Sequence, residues 1–269
     1  MIVAAALCAS PPLLHPALTG RAVVLPELRA ACAEAVARLL RFGPELVVVV
    51  GPAPATGELD PHGQFDPAAF APGSAASPGA GGLSLGTGLG AMLLDEAGYR
   101  GPRRLLGVSS DEPTGACAAL GAELAAGTAR TAMLVMGDGS ARRSLKAPGH
   151  LDPRAEPFDA QVERAVRVGR LGELLKLDEA LARDLMVTGR PAWQVLAGAM
   201  PDGAGANGFG TDGAGEGSGV EGGGVEAGGV EGGGVAAAGV DGALATEMLY
   251  RDDPFGVAYL VACLYPRSR

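Results

Sequence analysis

The sequence predicts a single α/β domain with a central, mostly parallel sheet flanked by helices. Three observations predict it. Two short apolar runs, residues 2–7 and 46–50, are bounded by proline and glycine, as strands buried on both faces are. Segments of helical spacing alternate with such runs, an order that right-handed crossovers turn into a parallel sheet. The 269 residues, 48% hydrophobic and 19% charged, suffice to bury one full-sized core.

The elements follow in order. Residues 2–7 form a strand that stops at Cys8-Ala9-Ser10-Pro11-Pro12. Two prolines cannot continue a ladder, so Ser10 arrives at the strand's carboxyl edge, where open α/β sheets bind ligands. Residues 26–42 read as a helix, with Leu28, Cys32, Val36 and Leu39 at helical spacing and Gly43-Pro44 ending it. Residues 46–50, four of them valine, form a central strand. Residues 52–82, rich in Pro, Gly, Ala and Ser, read as a long loop beyond that strand, of the kind that carries function.

A helix is expected over 83–97, a strand over 103–108, a helix over 115–127 and a strand over 131–136. That strand ends in Gly137-Asp138-Gly139-Ser140, a tight loop. Helical spacing returns at 158–168, 171–176 and 178–187, with Asp178 as an N-cap. Pro191 opens a helix over 192–199 that carries the only tryptophan, Trp193, and residues 257–264 close the sheet. Between them, Val220, Val225, Val230, Val235 and Val240 recur every five residues in a Gly, Ala and Glu background. So few valines cannot offset glycine's backbone entropy. The stretch 202–242 therefore reads as a flexible, acidic, Gly-rich surface insert in a domain formed by 1–201 and 243–269.

Composition excludes some functions. With 21 Lys+Arg against 30 Asp+Glu, a formal charge of -9 and scattered basic residues, nucleic acid is not an expected partner. No apolar stretch approaches the ~20 residues needed to cross a bilayer, so no membrane is expected either. Cys8, Cys32, Cys117 and Cys263 form no Cys-x-x-Cys pair and read as reduced core thiols of a soluble, cytoplasmic protein. A homo-oligomer is left open.

The loops at the strand ends are expected to converge: 10–15, the loop containing His62, 109–112 and 137–146. A Gly-x-Gly turn at a strand end exposes backbone N–H groups that can cradle an anion. Asp111, Arg142 and Lys146 are the accompanying ligand-binding candidates, and Asp138 and Ser140 the catalytic ones. A serine nucleophile at Ser140 would need His15 or His62 within hydrogen-bond reach, and it lacks the Gly-x-Ser-x-Gly elbow.

Several segments resemble one family: the opening strand with its Ser10-Pro11-Pro12 end, Val135-Met136-Gly137-Asp138-Gly139-Ser140-Ala141-Arg142-Arg143, Lys146-Ala147-Pro148-Gly149, Leu151-Asp152-Pro153-Arg154, Gly189-Arg190-Pro191-Ala192-Trp193 and Asp252-Asp253-Pro254-Phe255-Gly256. They are similar to the B-subunit-like proteins of the class III extradiol ring-cleavage dioxygenases. The resemblance implies that family's fold, catechol-type substrates in aromatic compound metabolism, and a non-heme iron site. In that superfamily two histidines and a carboxylate hold Fe(II) on one face, leaving open positions for both reactants. A further histidine, in a Ser-His pair, moves protons.

Here Ser10 stands at the His-Pro-Pro histidine, and Ser140-Ala141 at the Ser-His pair. The resemblance then assigns metal binding to His15, His62 and Glu247, with Ser10, Asp138 and Ser140 assisting; Fe(II) is the cofactor if the chain is active, and none is needed otherwise. The plainer reading of His15, His62 and His150 is solvated loop histidine, and of Glu247 a surface residue. The alternative function is a catalytically inactive or repurposed member that binds a small anionic ligand or a protein partner; across both readings the expected partner is a small aromatic or anionic molecule.

Overall fold

The apolar runs come together in one seven-stranded sheet. The computed structural model describes residues 1–20, 22–67, 82–202 and 244–266. The expected Gly-rich insert falls almost wholly outside them. Strands β1 (Ile2–Cys8), β2 (Leu46–Ala53), β3 (Gly57–Leu59), β4 (Arg103–Ser109), β5 (Thr131–Met136), β6 (Ala245–Asp252) and β7 (Tyr259–Tyr265) lie in the order β3-β4-β2-β5-β1-β7-β6. The four central strands β4, β2, β5 and β1 are parallel, whereas β3, β7 and β6 join antiparallel at the edges. The expected α/β architecture, with a mostly parallel centre, is the one observed.

The valine run shows why the sheet sits where it does. Side chains alternate between the faces of a strand, so Val47 and Val49 enter one core and Val48 and Val50 the other. The first core lies under helices α2 (Pro26–Arg41) and α3 (Leu85–Glu96), which contribute Leu28, Val36, Leu89 and Leu94. The second lies under α4 (Thr114–Ala126), α5 (Ala155–Arg167) and α7 (Arg190–Ala199), with Cys117, Phe158, Val162 and Trp193. Each fully buried Val or Leu contributes about 1.5–3 kcal/mol relative to exposure. All four cysteines are free and buried.

Two short helices complete the set, α1 (Pro16–Thr19) and α6 (Glu179–Asp184). Asp178 caps α6, its carboxylate accepting the Leu181 N–H at 2.8 Å. The segment expected to be helical at 171–176 is a 3₁₀ helix, Leu171–Lys176. The two strands absent from the sequence reading are edge strands: β3 interrupts the Pro-rich loop after β2, and β6 is only half-buried. Among the described residues no helix is long and apolar enough to cross a membrane.

Helices α4 and α7 cross almost backbone to backbone. A Cβ on Gly121 would lie 2.0 Å from the Val195 carbonyl oxygen, and one on Gly198 would lie 2.2 Å from that of Ala118. Replacing either by alanine forces the helices apart, at a cost of about 2–3 kcal/mol. Urea unfolding of Gly121→Ala and Gly198→Ala should show that loss, whereas Gly115→Ala on the same helix as Gly121, with nothing within 4 Å, should not. Wild-type midpoints for all three would contradict the crossing.

Candidate functional site

The connections out of β1 and β5 leave in opposite senses. From β1 the chain passes to α2 on one face, and from β5 it continues to α5 on the other. Adjacent strands that lead to opposite faces make the switch point at which open sheets form their ligand crevice. The β1–β5 register runs to Leu7 with Val135 and Cys8 with Met136, and the Gly137 N–H still donates to the Cys8 carbonyl. One step further, the Ser10 N–H donates to Asp138 Oδ1 at 2.6 Å. Two sequence candidates therefore meet at the switch point, with Ser10 3% exposed.

Burial raises the Asp138 carboxyl to about 7, against two lowering contributions from Ser10, its N–H and its hydroxyl. Tyr259, at the start of β7, is its neighbour: burial, and then the Asp138 charge, push the phenol well above its ordinary range. An acid that titrates near neutrality at a switch point has the property required of a proton-transfer or ligand-binding group.

The turn around Asp138 is held from all sides. A Cβ on Gly137 would lie 2.4 Å from Gly189 Cα, so only glycine lets the end of β5 pass against the start of α7. The N–H of Asp138 donates to Thr188 Oγ1, that of Gly139 to the Ala258 carbonyl and that of Ala141 to the Leu185 carbonyl. Ser140 donates through its N–H to Asp159 Oδ1 at 2.9 Å and through its hydroxyl to Asp159 Oδ2 at 2.5 Å. The expected anion cradle does not form, because every N–H from Gly137 to Ala141 is spent inside the chain.

The other candidates are separated from this point. Ser140 is fully buried and its hydroxyl bonds to a carboxylate, not a histidine, which removes the geometry a serine nucleophile needs. Arg142 donates to the Gly149 carbonyl at 2.5 Å. Lys146 is exposed. Asp111, 70% exposed, pairs with Arg183 at 3.0 Å on the α6 side. None of these three reaches Asp138 in a bond.

The metal candidates do not converge. His15 caps α1, its Nδ1 accepting the Ala17 N–H at 3.3 Å, and its ring packs on Phe65 at 4.8 Å between centroids. Burial, helped by Arg29 and opposed by Glu96, lowers its pKa. His62 is exposed in the loop after β3, where its N–H is held by Asp60. His150 is an exposed turn residue with φ of 61°. Glu247 lies within β6, at the opposite sheet edge from β3, and is paired with Arg38 of α2. It stands level with Cys263 and hence with Ala6, four residues or roughly 13 Å below Ser10 at about 3.3 Å per residue.

The chain's three histidines all lie among the described residues. No group of three or more His, Cys, Asp or Glu able to hold a metal occurs there. A face of two histidines and a carboxylate does not fit these donors.

Sequence reasoning missed Tyr259 and Asp159. Asp159 lies on the buried stripe of α5, at helical spacing from Ala155, Val162 and Val166, 19 residues beyond the serine it binds. The signal that marks it is a carboxylate placed on the helix's apolar stripe.

A fold of this kind is already represented among solved structures. A crystal structure titled as an uncharacterized protein, JW3007 from Escherichia coli K12, aligns over 98% of this chain and 99% of its own, with a TM-score of 0.53 and 16% sequence identity. The likeness is one of fold. No protein-family model matches the chain. No curated protein matches it either.

The raised Asp138 carries a stability signature. A folded carboxyl that titrates near 7, against 3.8 ordinarily, keeps its proton where the unfolded chain has lost it. Its contribution is whole below about pH 4 and is lost as pH rises through about 7. Asp138→Asn should remove that slope, gaining on the wild type by of order 2 kcal/mol between about pH 4 and pH 8 in urea unfolding. Parallel stability curves for the two proteins would contradict the assignment.

Proposed function

We propose that this chain is a scaffold of the extradiol dioxygenase B-subunit type that works without the family's iron centre. On this reading it binds a small aromatic molecule at the carboxyl edge of the sheet, with the Asp138 carboxyl as the working group. The observation that carries the reading is the Ser10–Asp138 pair. At the place where the resemblance expects an iron-binding histidine, the chain has a serine whose N–H is already bonded to a carboxyl of raised pKa.

The surrounding chemistry supports it. Near neutral pH a carboxyl of this kind divides between a hydrogen-bond donor and an acceptor, so it can serve a phenol or a carbonyl oxygen alike. Tyr259 places a buried ring next to Asp138. An anionic ligand has less to hold it, because the N–H groups of the 137–141 turn are occupied. The residues assigned to iron are three separate structural groups: a helix cap, an exposed loop residue and half of an ion pair.

Iron content after anaerobic Fe(II) loading, followed by oxygen uptake with a panel of catechols, tests this directly. The expected outcome is no stoichiometric iron and no catechol-dependent oxygen uptake. About one equivalent of iron, lost in His62→Ala together with ring cleavage, would overturn the reading in favour of a dioxygenase with an altered ligand set.

A further inference from the structure

Arg142 is a half-buried cation with no ion pair among the described residues. The stretch 139–151 around it holds Arg142, Arg143 and Lys146 and no acid. Arg143 is neutralised by Asp253 at 2.9 Å, and Lys146 is exposed to water. The carboxylates close by are taken. Asp152 feels the charge of Arg142 but is bonded to Arg154 at 2.8 Å, and Asp184 pairs with that same arginine at 3.4 Å.

The guanidinium is also short of acceptors. Its Nη1 donates to the Gly149 carbonyl at 2.5 Å. Among the described residues Nη2 has no hydrogen-bond partner, and Nε is the one fully enclosed side-chain nitrogen or oxygen without one. Water meets an exposed donor, but it does not reach Nε. Orphaned buried donors are rare and require an explanation. The partner missing here is an acceptor across the Nε–Nη2 edge, whose two parallel N–H groups match the two oxygens of a carboxylate.

The side chain that encloses Nε is itself strained. A Cβ on Gly149 would fall 2.7 Å from Met186 Sδ and 2.9 Å from Arg142 Nε, so the methionine tip and Nε close on the same space. Met186 has φ of 58°, a left-handed conformation that long side chains rarely adopt, and it is 45% exposed. Strain of this kind concentrates at ligand clamps. Leu151, 48% exposed, stands beside the same arginine, because the N–H of the next residue, Asp152, donates to the Arg142 carbonyl at 3.0 Å. The unpaired edge therefore has two exposed apolar side chains next to it.

We propose that Arg142 is a carboxylate-binding site covered by Met186. When the Met186 side chain moves aside, the Nε–Nη2 edge takes a small monocarboxylate with an apolar body, its oxygens on the two N–H groups and its body against Met186 and Leu151. Binding supplies the counter-charge and the acceptor that the chain itself does not. Arg142 makes no bond to Asp138, and the test does not depend on what the Asp138 crevice binds.

The Arg142 Nε–H resonance, assigned by its loss in Arg142→Lys, reads the site directly. Titrating the full chain with hexanoate should move it saturably. The neutral 1-hexanol should bind on the order of tenfold more weakly, and acetate, which lacks the body, severalfold more weakly than hexanoate. Arg142→Lys keeps the charge and removes the planar fork; followed at the Gly149 amide, it should lose about tenfold in hexanoate affinity. Met186→Gly, a change at an exposed residue that removes both the cover and the strain, should bind hexanoate severalfold more tightly than the wild type. No saturable shift in wild type and Met186→Gly alike would overturn the site, as would an equal response to hexanol or acetate, or unchanged affinity in Arg142→Lys. Binding in Met186→Gly no tighter than in the wild type would overturn the role of Met186 as its cover.

Discussion

The pairing of β1 with β5 is the constraint on which the carboxyl edge depends. The two strands run parallel in register to Cys8 and Met136, and their continuations leave for opposite faces of the sheet. That register places the Ser10 N–H on Asp138 Oδ1. A slip of one residue would turn each side chain to the other face, separating the pair and setting the apolar side chains of β1 against the wrong helices. The glycine contact between Gly137 and Gly189 then brings α7 against the same point, so one set of backbone approaches builds the edge from both sides.

Around that edge, buried polar groups satisfy one another. Ser140 closes onto Asp159, Arg143 onto Asp253, and the N–H groups of the turn onto Thr188, Ala258 and Leu185. A buried polar group left unmatched costs about 1–3 kcal/mol, which is why such a turn organises its own partners. The consequence for function is selective. The turn becomes rigid and has no donors left for an anion, while Asp138, short of compensating positive charge, keeps a proton near neutral pH.

How much of this was legible in the sequence differs by element. The central strands were, because parallel strands covered on both faces must be continuous apolar runs, and residues 46–50 have no other use. The cap at Asp178 was legible from residue type alone. Edge strand β6 was not: its Glu247, Arg251 and Asp252 face solvent or pair with neighbouring helices, and its mixed pattern follows a glycine tract that offers no boundary signal. At the site, Ser10 and Asp138 were legible as strand-end residues, but their hydrogen bond was not, since it joins positions 128 apart in the chain. The iron ligands illustrate the opposite case. His15, His62 and Glu247 have suitable chemistry and lie in plausible sequence order, yet strand pairing puts Glu247 at the far edge and at the level of Ala6.

The function proposed for the carboxyl edge rests on the proton held by Asp138. A ¹³C carboxyl titration of this residue by NMR, assigned through its loss in Asp138→Asn, measures it. A midpoint near 7, with the Ser10 amide resonance following the same curve, is the predicted result. A midpoint near the ordinary 3.8, with Ser10 unaffected, would mean that the carboxyl is solvated and not engaged at the switch point, and would contradict that role.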